Sequence, residues 1–526
     1  MESLTASQKQ SWLSWFFRGI LVLASIVLTA RLIELQIVKG EYYATLAQEN
    51  RIRKVPIRAP RGEILGRNGE VIVGNQEIKK IVEFLPEDGL VKKEVGGDYQ
   101  GDEAIVEHKR KYYNGSSFAH ITGYVGEINE TEVGKVNPDC VEKGEYKLSD
   151  LIGRSGLEGY YECLLRGIDG EELVEVNTRG EKIRTLGRKP VIPGEDIKTT
   201  IDSELQKKVS GLLHGEKGVI IVSGPEGELL AFYSSPSFDP EIVADSLDDP
   251  NLPLFNRAIG GTFHPGSIFK IVTAIAALED GKINREFTYE DTGAINVKEF
   301  EYTNWYFTQY GAVEGVIGLV KAIARSTDTF FYKVGEVIGA ERLAFWAGKF
   351  GLSQTTGVDL PGEVSGLVPT PEWKKRVKGE NWFLGNTYHM SIGQGDLAIT
   401  PIEANVMTMV IANGGALCQP FFVGDHSECR NLDISEDSIQ MVKEGMIAVC
   451  TIGGTAYPFF DFSPKVACKT GTAETFNEEK THAWFVAFAP EDFPEIVVTV
   501  LVEEGGEGSK VAAPIAYEIF DYWFTR

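Results

Sequence analysis

The sequence predicts an α+β protein in three parts. These are an N-terminal transmembrane anchor over 1–39, an elongated, strand-rich pedestal over 40–190, and a C-terminal domain over 191–526. The last part is expected to hold a central antiparallel sheet flanked by helices. Three observations carry this prediction. Trp12–Val38 is one long apolar stretch, and residues 40–190 fall into short alternating runs bounded by turns. Residues 191–526 place strand patterns at both ends with helical patterns between them, so the sheet is assembled from the two ends of the domain's sequence.

Composition narrows the function classes. The 526 residues are 43% hydrophobic and 24% charged, ordinary for folded protein, and the length suggests about two to four domains. The net charge of −24 opposes a phosphate backbone, and no basic-aromatic stripe offsets it, so nucleic acid is excluded as a partner. The histidines do not group with cysteines at ligand spacing and no H-E-x-x-H occurs; neither a metal nor a cofactor is expected. The six cysteines are too few for a disulfide scaffold; Cys418 and Cys429 flank one short segment, where pairing and simple burial are both open.

Within the first part, the uncharged stretch Gly19–Ala30 is short of the roughly 20 residues that span a bilayer. Arg18 and Arg31 extend it by snorkelling, and Trp12 and Trp15 suit an interface. A cleavable signal peptide is the rival; the missing small-x-small site and the pattern running on through Leu46 favour an uncleaved anchor. Lys9 and Arg18 place the short tail in the cytoplasm and the bulk outside.

In the pedestal, Arg61-Gly62-Glu63-Ile64-Leu65-Gly66 leads to a turn at Asn68-Gly69, a hairpin signal. Ile152-Gly153-Arg154-Ser155-Gly156-Leu157-Glu158 runs into a helix over 160–165. No nucleophile–base pair occurs here. Pro190–Glu195 breaks the pattern and marks a boundary. Beyond it come a strand over 197–201, a helix capped by Asp202, and a hairpin of 219–222 with 229–233; the pair 483–488 and 496–502 closes the chain.

The chemistry centres on Gly261–Leu278. Pro265-Gly266 stops any helix entering from the left, so Ser267 falls at a helix start and Lys270 lies one turn on, beside it. The helix that follows is apolar all round, hence buried, and burial lowers a lysine's pKa toward the basic amine. An amine beside a serine hydroxyl is an activated nucleophile. Two later elements join it: Ser326-Thr327-Asp328, a polar break between apolar helices, and Lys469-Thr470-Gly471-Thr472 on a strand whose glycine admits a ligand to the edge.

Ser267-x-x-Lys270, Ser326-x-Asp328 and Lys469-Thr470-Gly471 resemble the three active-site motifs of penicillin-binding proteins and serine β-lactamases. The likeness covers nearly the whole chain: RGEILGRNG, IGRSGLE, GEDIKTTID, LPGEVSGLVPTPEW, MSIGQGDLAITP and HAWFVAFAP resemble class B penicillin-binding proteins of the elongation type. It implies a serine β-lactamase/transpeptidase-like fold and a peptidoglycan D,D-transpeptidase without cofactors. In that role Ser267 attacks the penultimate D-alanine carbonyl, Lys270 takes its proton and Ser326 relays one to the leaving D-alanine. The N–H groups of Ser267 and Thr472 form the oxyanion hole, while Lys469, Thr470 and Thr472 hold the terminal carboxylate, with Gly471 opening the edge. The implied partners are stem peptides, β-lactams, the cytoplasmic membrane and a glycosyltransferase of the shape–elongation–division–sporulation family. Gly66 departs from the aspartate usual at that position, which touches pedestal folding or partner contact rather than chemistry.

Asp328 poses a difficulty, since a carboxylate beside Lys270 favours the protonated amine. Sharing of its field by two lysines, or of a proton within the cluster, are the alternatives. Trp305, Tyr310 and Trp382 are at most cleft-lining; Gln394 is the better supporting candidate. A β-lactamase needs a device that activates water, and no E-x-x-L-N-like element lies between Ser326 and Lys469. A D,D-carboxypeptidase, a septal transpeptidase and a non-catalytic sensor or scaffold are the remaining rivals.

Overall fold

The computed structural model describes residues 12–85, 89–96, 105–177, 182–425, 428–475 and 480–526. Lys9 and the tail before Trp12 lie outside them. The described residues pack as two compact units: those within 1–60, 77–109 and 168–193 form one, and those within 61–76, 110–167 and 194–526 the other.

In the first unit, helix α1 spans Trp12–Ile33 and runs on through a π-helical turn to Val38. The 27 residues have a window of mean hydropathy 2.0 and none of that window is buried within the protein, so the apolar side chains require an apolar surrounding. A second helix, Gly40–Arg51, leads to an antiparallel sheet of Ile52–Ile57, Gly170–Val176 and Lys182–Lys189, in that spatial order. Glu175 on its central strand pairs with Arg51 and, at 2.7 Å, with Arg184.

The second unit is built on a five-stranded antiparallel sheet. Its strands are β1 (Gly218–Ser223), β2 (Leu229–Ser235), β3 (Ala467–Glu474), β4 (Thr481–Ala489) and β5 (Ile496–Val502). The spatial order is β2-β1-β5-β4-β3, so both ends of the domain's sequence meet in one sheet and β3 is an edge. Strands β1 and β5 are buried along their whole length, which fits a sheet covered on both faces and explains their continuous valine and isoleucine runs. Helix α2 (Lys270–Glu279) lies in this core with eight of its residues buried. As anticipated, Asp202 caps the helix Ser203–Leu212, accepting from the Leu205 N–H at 3.1 Å.

Two of the pedestal motifs meet inside this unit. Arg61 of the first pairs with Glu158 of the second and, at 2.6 Å, with Glu162; Arg110 reaches Glu158 at 2.6 Å. Glu158 is wholly buried, and the two guanidiniums hold its carboxyl below the usual range against the penalty of burial. At Gly66, a Cβ would stand 2.2 Å from the Glu70 carboxylate and 2.9 Å from Ser203 Oγ. An acidic group from across the hairpin thus fills the space an aspartate side chain would need. Where one helix over 160–165 is expected, two short ones form, Gly156–Tyr160 and Glu162–Leu165. All six cysteines are paired: Cys140–Cys163, Cys418–Cys429 and Cys450–Cys468.

Candidate active site

Three segments converge at the edge of β3. Ser267 sits in a 3-10 turn, Gly266–Phe269, that feeds directly into α2. Gly266 has φ +57°, and a Cβ on it would lie 2.8 Å from the Thr472 carbonyl oxygen, so only glycine lets the turn press against the strand. Gly393 clamps the turn from the other side: its carbonyl accepts the Gly266 N–H at 2.9 Å, and a Cβ there would stand 2.1 Å from the Gly266 oxygen. Gln394, the residue anticipated in this role, is buried with its N–H on the His389 carbonyl; its neighbour makes the contact.

Ser326 ends helix α3 (Leu319–Arg325) in a left-handed conformation, φ +54°, and Asp328 opens helix α4 (Asp328–Ile338). That sharp reversal aims both side chains at Lys270. Lys270 Nζ donates to Asp328 Oδ1 at 2.6 Å, to the Ser326 carbonyl at 2.8 Å and to Ser326 Oγ at 3.1 Å. Lys469 Nζ donates to the same Oγ at 2.9 Å and to the Thr470 carbonyl at 2.9 Å. One hydroxyl therefore bridges two lysines, each fully buried. Lys270, Ser326, Asp328 and Lys469 thus form one connected cluster, with Ser267 in the turn directly before Lys270.

Its electrostatics follow from burial. Desolvation pushes Lys270 below the ordinary lysine value, opposed by the Asp328 carboxylate. Lys469 is pushed well below it, by desolvation first and then by the charge of Lys270. The carboxylate touches Lys270, so Lys469 is the amine readier to be neutral.

The chain belongs to the penicillin-binding protein transpeptidases.

The penicillin-binding protein transpeptidase domain matches residues 218–521, and the penicillin-binding protein dimerisation domain matches 90–199. The peptidoglycan D,D-transpeptidase MrdA of Escherichia coli K12 is 34% identical over 96% of this chain and 93% of its own. The complex of penicillin-binding protein PBP2 with MreC from Helicobacter pylori superposes with TM-score 0.77 at 27% identity, covering 90% of this chain and 99% of that one. A structure of a peptidoglycan synthase complex that coordinates polymerization and crosslinking gives TM-score 0.77 at 29% identity, covering 99% of each chain.

Around the cluster, this penicillin-binding protein uses residues that no motif announced. Asn304, wholly buried, accepts the Asp328 N–H at 3.3 Å and donates to Asp291 at 3.2 Å. Asp291 also accepts from Thr329 Oγ1 at 2.7 Å, so a buried polar chain holds the first turn of α4. Trp305 offers its backbone N–H to Asp328 at 3.3 Å and its indole to the Arg325 carbonyl at 2.9 Å, while Trp382 bonds Thr387 and Tyr310 is exposed. The paired Cys468 directly precedes Lys469, joining β3 to the end of helix α5 (Glu436–Val449), and Thr470 shares a hydrogen bond of 2.7 Å with Thr455.

Proposed function

We propose that Ser267 is the acylated nucleophile of an elongation-type peptidoglycan D,D-transpeptidase, with Lys270, Ser326, Asp328 and Lys469 as its proton network. The chain is a serine D,D-transpeptidase of peptidoglycan synthesis by its family. What supports the residue roles is the shared hydroxyl: Ser326 Oγ lies within hydrogen-bond reach of both Lys270 and Lys469.

Ser267 Oγ attacks the carbonyl carbon of the penultimate D-alanine and gives its proton to Lys270 once that amine is neutral. Burial keeps Lys469 neutral in the resting site; the arriving substrate carboxylate favours its protonated form, and Lys270 then reaches neutrality by passing a proton through Ser326 to it. The Asp328 carboxylate holds Lys270 against Ser326 throughout. The tetrahedral oxyanion is met by the N–H groups of Ser267 and Thr472; losing one such donor typically costs about 10²–10³ in rate. Collapse breaks the peptide C–N bond, Ser326 delivers the proton to the departing D-alanine nitrogen, and the acyl ester remains on Ser267. A neutral amine from a second stem peptide attacks that ester, the network carries its proton to Ser267 Oγ as the ester C–O bond breaks, and the new amide is the cross-link.

Lys469, Thr470 and Thr472 hold the terminal carboxylate, with Gly471 keeping the rim bare, and the free edge of β3 pairs with the substrate backbone. β-Lactams acylate the same serine. The functional division is anchor 1–39, pedestal 40–190 and catalytic domain 191–526. α1 anchors the chain once in the cytoplasmic membrane with its bulk outside, where the three disulfides are at home. A glycosyltransferase of the shape–elongation–division–sporulation family is the partner, in keeping with the synthase complex to which the chain is similar.

The test is a stoichiometric one. With D-Ala-D-Ala stem peptides, wild-type protein should release one D-alanine per cross-link, and Ser267→Ala should release none. D-alanine released without cross-links would make it a carboxypeptidase instead.

A further inference from the structure

Beyond the catalytic cluster, β3 continues along its free edge for two more residues. Thr472 and Glu474 share its exposed face, with buried Ala473 between them. No ion pair or hydrogen bond engages the Glu474 side chain among the described residues. Its carboxylate charge is felt at His389 and Tyr332, so both lie within its electrostatic reach. Tyr302 packs with both, its ring 5.8 Å from each of His389 and Tyr332 and 5.0 Å from Tyr388. Burial lowers the pKa of His389, and among the described residues no cation pairs with the Glu474 carboxylate.

The substrate's register follows from the strand. With the terminal carboxylate at Lys469 and Thr470 and the reacting carbonyl at the Thr472 N–H, a peptide added antiparallel to β3 runs toward Glu474. Residues advance about 3.4 Å each along a strand, so the residue preceding the penultimate D-alanine falls opposite Ala473–Glu474. In a stem peptide that residue is the diamino acid, whose side chain carries an ammonium.

We infer that Glu474 is a specificity-determining residue of the donor site, binding the side-chain ammonium of the diamino acid that precedes D-Ala-D-Ala. This rests on the transpeptidase reading above. A carboxylate contact keeps that amine protonated and therefore non-nucleophilic. The donor's own amine is thus kept from its acyl ester, and the acceptor amine arrives from a second peptide.

The experiment uses the full chain in detergent. D-Alanine release is followed from L-Ala-γ-D-Glu-L-Lys-D-Ala-D-Ala and from its Nε-acetyl counterpart, with glycinamide as common acceptor. The readout is the ratio of kcat/KM for the two donors, in which any general loss of activity cancels. Wild type should favour the free ammonium by about fivefold, the scale of one partly exposed ion pair. E474Q should bring the ratio to about one, and E474K should invert it. A wild-type ratio of one, or an E474Q ratio equal to wild type, overturns the proposal. Uptake of a fluorescent penicillin is measured on the same preparations. A wild type that takes up none overturns the transpeptidase reading itself, a separate and visible failure.

Discussion

Lys270 Nζ and Asp328 Oδ1 are 2.6 Å apart, a buried lysine paired with the carboxylate that opens the neighbouring helix. This contact decides how the nucleophile is activated. Removing the carboxylate removes the influence that raises the Lys270 pKa and leaves desolvation unopposed. In Asp328→Asn the neutral amine should therefore persist to lower pH, moving the acid limb of penicillin acylation to lower pH. A shift upward, or none, would contradict the assignment of Lys270 as base.

Gly393 tests the packing that presents the nucleophile. A methyl there must displace the Gly266 carbonyl, 2.1 Å from the Cβ position, at a backbone φ of +78°. Gly393→Ala should lower stability by about 1–3 kcal/mol and cut the acylation rate at least tenfold. Thermal melts and stopped-flow acylation measure the two effects; unchanged acylation would show that the turn tolerates movement.

Asn304 tests the support of α4. Deleting its side chain strands the Asp328 N–H and leaves Asp291 Oδ2 with the Glu314 N–H as its remaining donor. Asn304→Ala should cost about 1–3 kcal/mol, with a fall in acylation rate as Asp328 loses its fixed position. Chemical denaturation and acylation kinetics would read these; a stable variant with normal kinetics would remove Asn304 from the account.

The core of the site is readable from residues alone, and the reason is local. Ser267 with Lys270 is one helical turn, Ser326 with Asp328 is a helix–helix break, and Lys469–Thr472 is a strand edge; each has its pattern within a few residues. The strands β1, β2, β4 and β5 were legible for the same reason. Asn304 and Asp291 were not, because their chemistry arises only where a hairpin region folds against α4. Nor was the exchange of roles between Gly66 and Glu70, which depends on the hairpin bringing the carboxylate back across the turn. The pairing of Cys450 with Cys468 likewise joins a helix end to a strand start that share no sequence pattern.

His120 predicts an acid sensitivity away from the site. Burial holds it at about 4, below its ordinary 6.5, with its ring edge-on to Phe238 at 5.3 Å. Its folded pKa lies below the unfolded one, so the unfolded chain takes up more protons as pH falls. The stabilisation is complete above about pH 6.5 and is lost progressively toward pH 4, about 3 kcal/mol in all. His120→Phe should melt with a shallower pH dependence than wild type across that window; equal slopes would contradict it.

The most direct measurement of the central claim is the site of covalent capture. Full-length protein incubated with penicillin and digested should carry the penicilloyl mass on the peptide containing Ser267, and Ser267→Ala should carry none. An adduct on Ser326 or another residue, or one that survives the substitution, would contradict the assignment of the nucleophile.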